Sequence, residues 1–302
     1  MLTAQKIWSP TNLKEAWEIQ NHIGIGEYCL VSGGTWLRTQ WEANLREMST
    51  NLISLEKIAE MQEVTEQLAF GKREIVIGAQ VTLANCIESE LMQTYLPSLV
   101  KACRRIAAPS IRNQATIGGN IYTAAGDTIP VFLIYEAKLR WFNGQTIETE
   151  PLEQWLITLQ ANQFKRDNRM LVGLTIEVEA QDDFSFFIKV GRRETFTASL
   201  VTVAGKGTVD NNGLFGSVLL AAGGGPVPAR LSATELATCN RSGSTELFKS
   251  IYKSITTEFE ATTDAFASAE YKKTVVANLL VSELFDRWEK NHLGGVTNVA
   301  GS

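Results

Sequence analysis

Two glycine pairs mark the places where this sequence could bind an anion. The pair Gly33–Gly34 follows a short apolar segment, and the pair Gly118–Gly119 lies among β-branched residues, so each pair is expected to leave a strand. A glycine pair lets the backbone approach a flat or charged group, and N–H groups at a helix start bind anions. The pyrophosphate of a dinucleotide carries two negative charges, so two such loops predict a dinucleotide site. The alternative for either loop is a plain tight turn.

Asp127 adds a carboxylate to the second glycine loop. A carboxylate at this place can accept hydrogen bonds from the sugar hydroxyls of a dinucleotide. It can also cap the helix that follows, and the two roles are compatible. The usual dinucleotide fingerprint G-x-G-x-x-G is missing, because Gly24-Ile25-Gly26 lacks the third glycine and a strand pattern follows it. This argues against a Rossmann dehydrogenase.

Histidine and cysteine chemistry is scarce in this chain. Two histidines cannot easily build a histidine triad or a histidine-rich metal site. The four cysteines form no C-x-x-C pair, so the chain alone cannot bind a conventional iron–sulfur cluster or zinc ion. Any redox chemistry must come mainly from a bound cofactor. These residues are His22, His292, Cys29, Cys86, Cys103 and Cys239.

Composition excludes several other classes of function. The 302 residues carry a net charge of −5 with both signs mixed along the chain, whereas a nucleic-acid-binding face would be basic and clustered. No apolar run approaches the roughly 20 residues of a membrane span. The N-terminus shows no apolar signal core. Together with cysteines typical of buried reduced thiols, these features predict a cytoplasmic protein.

The hydrophobic pattern predicts an α+β chain with a boundary near residue 180. Residues 1–60 suggest alternating strands and helices, with a helix from Asn12 to Gln20, and Asn143-Gly144 predicts a hairpin. From about residue 182, long alternating strands are followed by helices. The last helix begins after Ser268, and 293–302 is expected to be a loose tail. We therefore predict domains 1–180 and 181–302.

Five segments together resemble one family. Residues 30–37, L-V-S-G-G-T-W-L, resemble the A-G-G-T-x-L loop of the FAD-binding subunits of molybdenum hydroxylases, such as the medium subunits of xanthine and carbon monoxide dehydrogenases. Residues 112–121, R-N-Q-A-T-I-G-G-N-I, are similar to their motif R-N-x-A-T-I-G-G-N-I. Asp127 resembles the acidic residue of their G-D-x-x-P element. The segments 189–193, K-V-G-R-R, and 268–273, S-A-E-Y-K-K, resemble two later family elements.

The resemblance implies a fold and a set of cofactor contacts. The implied fold is α+β, with a two-part FAD-binding domain of the vanillyl-alcohol-oxidase (PCMH) type followed by a domain of antiparallel sheet and helices. Both glycine loops would hold the pyrophosphate of non-covalent FAD through backbone N–H groups. No catalytic or metal-binding residue is implied. The implied FAD contacts are Leu30, Val31, Ser32, Gly33, Gly34, Thr35, Trp36, Leu37, Ile106, Ala107, Thr116, Gly118, Gly119, Asn120, Thr123, Asp127, Leu171 and Lys189.

Five of these contacts carry individual roles in the family. Asp127 matches the sugar-binding acid, although its loop is two residues shorter than the family's T-A-S-P-x-x-D. Ile106 and Ala107 match residues packed close to the flavin. Leu171 matches a position near the adenine, and the alternative is a core strand residue. Lys189 matches a position near the isoalloxazine ring, and the alternative is a solvated strand residue.

The implied function is electron transfer within a multi-subunit hydroxylase. A molybdopterin-binding large subunit would oxidise the substrate. A 2Fe-2S small subunit would pass electrons to FAD in this chain, which would deliver them to NAD or another acceptor. The alternatives are a stand-alone flavin oxidase or reductase of the same fold, and a scaffold subunit without flavin. The resemblance also implies that the holoenzyme's substrate is chosen on another chain.

Overall fold

The computed structural model describes residues 5–178, 182–192 and 199–294. In the described residues the helices are α1 Leu13–Ile23, α2 Thr35–Glu42, α3 Leu83–Glu88, α4 Glu90–Tyr95, α5 Pro97–Arg105, α6 Pro109–Arg112, α7 Ile117–Tyr122, α8 Ile129–Ile134, α9 Leu152–Ala161, α10 Ser232–Thr238, α11 Thr245–Glu258 and α12 Ala269–Gly294, with a 3-10 turn at Ala59–Met61. The strands are β1 Lys6–Trp8, β2 Tyr28–Val31, β3 Asn51–Ser54, β4 Val64–Ala69, β5 Lys72–Gly78, β6 Lys138–Phe142, β7 Ile147–Pro151, β8 Met170–Val178, β9 Phe184–Gly191, β10 Ser199–Val209, β11 Leu214–Gly223, β12 Ala229–Arg230 and β13 Arg241–Ser242.

The chain forms two compact units that interleave in sequence. The described residues of the first unit are 5–94, 107–126 and 136–178. Those of the second are 95–106, 127–135, 182–192 and 199–294. The predicted division at residue 180 is a single cut and stays a prediction about domains.

The first unit contains two sheets, which confirms the two-part α+β prediction. A parallel sheet has the strand order β1-β3-β2, and an antiparallel sheet has the order β4-β5-β8-β6-β7. The helix predicted from Asn12 forms as α1, because the Asn12 side chain accepts a hydrogen bond from the N–H of Glu15 at 2.9 Å. The predicted hairpin turns at Asn143, whose side chain accepts from the N–H groups of Gln145 and Thr146. Gly144 adopts a φ of 96° there.

The second unit is an antiparallel sheet covered by helices, as expected. Its strand order is β12-β11-β10-β9, and β13 pairs with β11. Helices α5 and α8, from earlier in the chain, contact β9 and β10 respectively, and α12 lies against β10. The apolar strand faces and the helices enclose one core that includes Phe215, Phe248 and Leu280. Burial of such side chains stabilises a fold by about 1.5–3 kcal/mol each.

Helix α12 corrects one detail of the prediction. Ser268 caps it, because its Oγ accepts from the N–H of Tyr271 at 3.2 Å. The buried face is formed by Val276, Ala277, Leu280 and Leu284, while the Tyr271 side chain is exposed. Helical spacing after Ser268 predicts one apolar stripe, formed by Tyr271, Val275, Leu279, Leu280 and Leu284. Tyr271 lies off the buried face, whereas Val275 and Leu279 are partly buried against the same core. Residues 295–302 of the expected tail lie outside the described residues.

Candidate functional site

The first glycine loop ends strand β2 and starts helix α2. Gly34 is the residue before α2, with a left-handed φ of 67°, and no side chain caps the helix. The N–H groups of the first turn, on Thr35, Trp36 and Leu37, have no acceptor within the helix by its geometry. Thr35 is itself the first helical residue, so its side chain does not cap the helix. The start of α2 is thus an anion-binding arrangement.

The second glycine loop does not follow a strand, and that prediction is wrong. Its glycines lie in the first turn of α7, which Thr116 caps by accepting from the N–H of Gly119 at 3.1 Å. The N–H of Ile117 donates to Val81 O, and that of Gly118 to Ala79 O, both at 2.9 Å. These tertiary bonds outweigh the local β preference of the flanking residues. The loop therefore contributes shape, since its N–H donors are already used within the protein.

The two loops meet at Ser32 and Thr116. Their hydroxyl oxygens are 2.6 Å apart. A Cβ at Gly33 would lie 1.7 Å from the carbonyl oxygen of Gln114, and one at Gly118 would lie 2.6 Å from the Cβ of Ala79. The glycines are thus required for the close approach of protein segments to one another. This packing reason stands beside their predicted roles as FAD contacts, which stay predictions.

Gln80 belongs to this junction and was missed by the sequence analysis. Its Oε1 accepts from the Ser32 hydroxyl at 2.9 Å. The residue is 8% exposed, and its Nε2 has no hydrogen-bond partner among the described residues. A lone polar residue in the run I-V-I-G-A-Q-V, 75–81, was the signal that could have found it. A buried amide without a partner is costly, which indicates a ligand at this point.

The arginine of the second motif, Arg112, holds the preceding loop. Arg112 Nη1 donates to the carbonyl oxygen of Ala107 at 2.6 Å. Ala107 has a φ of 48°, which is uncommon for a residue with a Cβ. Ile106, assigned beside the flavin, belongs to the second unit, and its N–H donates to Cys103 O at the end of α5. The structure thus gives Ala107 a fixed backbone geometry.

The turn after α7 is tight and internally bonded. The Thr123 hydroxyl donates to Asn120 O at 2.8 Å and accepts from the N–H of Ala125 at 3.2 Å. A Cβ at Gly126 would lie 2.1 Å from Asn120 Oδ1. Ala124 takes a φ of 58° to close the turn. This explains how a turn two residues shorter than the family pattern is formed, with Thr123 bonded inside it.

Asp127 and Lys189 form an ion pair in the second unit. Lys189 Nζ lies 2.8 Å from Asp127 Oδ2, and each side chain is 12% exposed. The Ser199 hydroxyl donates to the other carboxylate oxygen. Asp127 does not cap α8, because Thr128 precedes that helix and no side chain caps it, so the capping alternative is wrong. Arg193 of the same family element lies outside the described residues.

The remaining predicted contacts lie on first-unit strands and on α2. Leu171 in β8 is paired with Trp141 of β6 and is 7% exposed, so it is part of the sheet's core face. Leu30 and Val31 are half-buried in β2, and Trp36 is 46% exposed on α2. Their FAD contacts stay predictions.

Tyr122 closes α7 in a buried setting. Burial raises the pKa of its phenol above the usual value, and the nearby Arg166 guanidinium acts in the opposite direction. Arg166 lies 4.6 Å over the Tyr122 ring and donates to its carbonyl oxygen at 2.7 Å. The phenol therefore stays protonated at neutral pH.

These features fit FAD. An uncapped helix start offers N–H donors to a diphosphate, and the orphaned Gln80 amide, hydrogen-bonded to Ser32 three residues before that helix, offers another donor. Within the described part of the chain, no group of three or more His, Cys, Asp or Glu side chains is arranged to hold a metal ion. No helix among the described residues is long and apolar enough to cross a membrane.

The fold and the paired glycine loops define a two-domain flavoprotein of the α+β class. Residues 3–176 match the family model of the FAD-binding domain in molybdopterin dehydrogenase. Residues 186–284 match the carbon monoxide dehydrogenase flavoprotein C-terminal domain. The chain belongs to this family of FAD-binding subunits of molybdenum hydroxylases, which confirms the resemblance seen in the sequence.

Individual relatives agree with this assignment. The chain is 26% identical over 254 residues to the xanthine dehydrogenase FAD-binding subunit of Escherichia coli O157:H7, covering 83% of this chain and 85% of that protein. It is 31% identical over 113 residues, 37% of each chain, to the carbon monoxide dehydrogenase medium chain of Hydrogenophaga pseudoflava.

Solved structures show the same fold. Carbon monoxide dehydrogenase from Hydrogenophaga pseudoflava, in a form lacking the Mo-pyranopterin moiety of its cofactor, matches with a TM-score of 0.84 at 22% identity, over 97% of this chain and 100% of that one. Quinoline 2-oxidoreductase from Pseudomonas putida 86 matches with a TM-score of 0.82 at 16% identity, over 95% and 98% respectively.

Proposed function

We propose that this chain is the electron-transfer subunit of a molybdenum hydroxylase. Electrons would enter from a partner subunit that carries 2Fe-2S clusters and leave to NAD or another acceptor. A molybdopterin-binding partner would oxidise the substrate. The observation that supports this proposal is the junction of the two glycine loops at Ser32 and Thr116, three residues before the uncapped start of α2 in the case of Ser32.

The chain's own residues bind and orient the cofactor. When bound, FAD supplies redox chemistry that no side chain provides. The first-turn N–H groups of Thr35, Trp36 and Leu37 would hold the diphosphate. Thr116 fixes the second loop by capping α7 and contacting Ser32.

Further assignments belong to the same proposal. Asp127 would accept from the sugar part of FAD while it stays paired with Lys189. The two predicted domains, 1–180 and 181–302, would carry FAD binding and the C-terminal module. We also propose a cytoplasmic location, since the four cysteines are unpaired in the structure.

The experiment is purification of the native complex, followed by its visible spectrum and assays of iron and molybdenum. A yellow hetero-oligomer that contains both metals supports the proposal, and NAD reduction by that complex identifies the acceptor. A yellow protein that is pure in this chain and oxidises a substrate alone supports a stand-alone flavoenzyme. A colourless complex supports the scaffold alternative.

A further inference from the structure

The Gln80 side chain is the unexplained polar group of the loop junction. It is 8% exposed, and its Nε2 has no hydrogen-bond partner among the described residues. Buried amides in native proteins are nearly always hydrogen-bonded, so an exception requires a cause. Gln80 follows β5 directly, where Ala79 O and Val81 O accept from the start of α7. The backbone around Gln80 is therefore fixed by the second glycine loop.

A directional series of hydrogen bonds ends at Gln80. The N–H of Gly119 donates to Thr116 Oγ1 at 3.1 Å. The Ser32 hydroxyl donates to Gln80 Oε1 at 2.9 Å. Since that hydroxyl has one proton, the 2.6 Å contact between Ser32 and Thr116 takes its proton from Thr116. This series of hydrogen bonds occupies the carboxamide oxygen of Gln80 and leaves its two N–H donors for another acceptor.

The neighbouring free donors indicate what the acceptor is. Ser32, which orients Gln80, lies three residues before Thr35, the first residue of the uncapped helix α2. First-turn N–H groups and a carboxamide NH₂ at one junction are all donors, and a group of donors is satisfied by an anion. FAD carries its negative charge on the diphosphate.

We propose that the Gln80 carboxamide donates a hydrogen bond to the FAD diphosphate, with Ser32 and Thr116 as the positioning residues that orient it. The proposal rests on the proposed function, because it requires that the chain binds FAD. It adds a binding residue outside both glycine motifs. It also explains the Ser32–Thr116 contact, because that contact determines which end of the carboxamide faces the cofactor.

The first test is FAD titration of the full-length, FAD-stripped chain, followed by flavin fluorescence. Gln80→Leu should weaken FAD binding by about 10- to 100-fold, the usual effect of losing a hydrogen bond to a charged group. Gln80→Glu should weaken it more, because a carboxylate repels the diphosphate. Gln145→Glu adds the same charge in an exposed hairpin turn and should leave binding unchanged.

Each alternative outcome of this titration is informative. Wild-type affinity in Gln80→Leu would overturn the contact. Wild-type affinity in Gln80→Glu would overturn the donor role and assign an acceptor to this position. A wild-type chain that binds no FAD would contradict the proposed function itself, so the two failures are distinct. Circular dichroism of the FAD-free variants checks folding, and Gln80→Met replaces Gln80→Leu if the latter does not fold.

The second test locates the contact on the cofactor. In ³¹P NMR of the bound FAD, Gln80→Leu should shift at least one of the two diphosphate signals while the visible flavin spectrum is unchanged. A changed flavin spectrum with unchanged ³¹P signals would place Gln80 at the isoalloxazine ring and overturn the diphosphate assignment.

Discussion

The hydroxyl oxygens of Ser32 and Thr116 lie 2.6 Å apart, although 84 residues separate them in the chain. This contact joins the two glycine loops, and each partner has a second bond. Ser32 donates to the buried Gln80, and Thr116 caps α7. The pair therefore couples the two halves of the candidate FAD site, and its removal should affect both.

Substitution of either partner should destabilise the FAD-free protein. Thr116→Val removes a helix cap and the junction bond, and Ser32→Ala leaves Gln80 Oε1 buried without a donor. We expect a loss of about 2 kcal/mol for each in urea unfolding. The double variant should lose about 1 kcal/mol less than the sum, because one bond is shared. The control Thr158→Val, exposed on α9, should change stability by less than about 0.5 kcal/mol. Strict additivity of the two substitutions would contradict the coupling.

Gly33→Ala should separate the two loops. The added Cβ would lie 1.7 Å from Gln114 O, a backbone atom that cannot move alone. We expect a destabilisation of about 3 kcal/mol and loss of flavin absorbance in the purified protein. Gly119→Ala is the stability control: its Cβ meets only the side-chain atom Thr116 Oγ1 at 3.0 Å, and the helix preference for alanine offsets that contact, so stability should change by less than about 1 kcal/mol. Equal stability of the two variants would show that the loops do not need this close approach.

Local sequence patterns predicted most of the fold. Asn12 caps α1 where its side chain type predicts a cap, and Asn143 turns the predicted hairpin. These features depend on residues within four positions of each other, which a sequence displays directly. The motif at 112–121 was the most specific match to the family, because its residue order is specific, and the family assignment is confirmed.

The site's internal contacts could not be predicted in the same way. A glycine pair among β-branched residues has a local β preference, but Gly118 is helical because it packs on Ala79. Asp127 precedes a helix as a cap would, yet its partner Lys189 is 62 residues away. The position of Gln80 in the site is evident only from its hydrogen bond to Ser32. Each of these depends on contacts between residues distant in the chain, which a single sequence does not display.

The Asp127–Lys189 pair should contribute more to the free energy of unfolding than a surface ion pair does. Both side chains are 12% exposed, so removal of one partner leaves a largely buried charge. Asp127→Asn and Lys189→Met should each destabilise the FAD-free protein by about 3 kcal/mol, and the double variant should recover part of that loss. The control Glu42→Gln breaks an exposed pair with Arg38 and should cost less than about 1 kcal/mol. A double variant no more stable than either single one would show that the unpaired charge is not the cause.

The Asp264–Lys272 pair at the start of α12 should make stability depend on acid pH. Lys272 Nζ donates to Asp264 Oδ2 at 2.6 Å, and this bond, together with N–H donors from Phe266 and Ala267, lowers the pKa of Asp264 to about 2 from an ordinary value of 3.8. Because the folded pKa lies below the unfolded one, the stabilisation is complete above pH 3.8 and is lost as pH falls through about 2.

Urea unfolding midpoints measured from pH 5 to pH 2 test this expectation. The wild-type midpoint should fall across that window, and Asp264→Asn should have a lower midpoint at pH 5 and a shallower fall, because the amide cannot titrate. Asp286→Asn, an exposed substitution on the same helix, should keep the wild-type slope. If Asp264→Asn and wild type show parallel curves, the acid sensitivity arises elsewhere, and the bond to the buried Lys272 does not depend on the charge of Asp264.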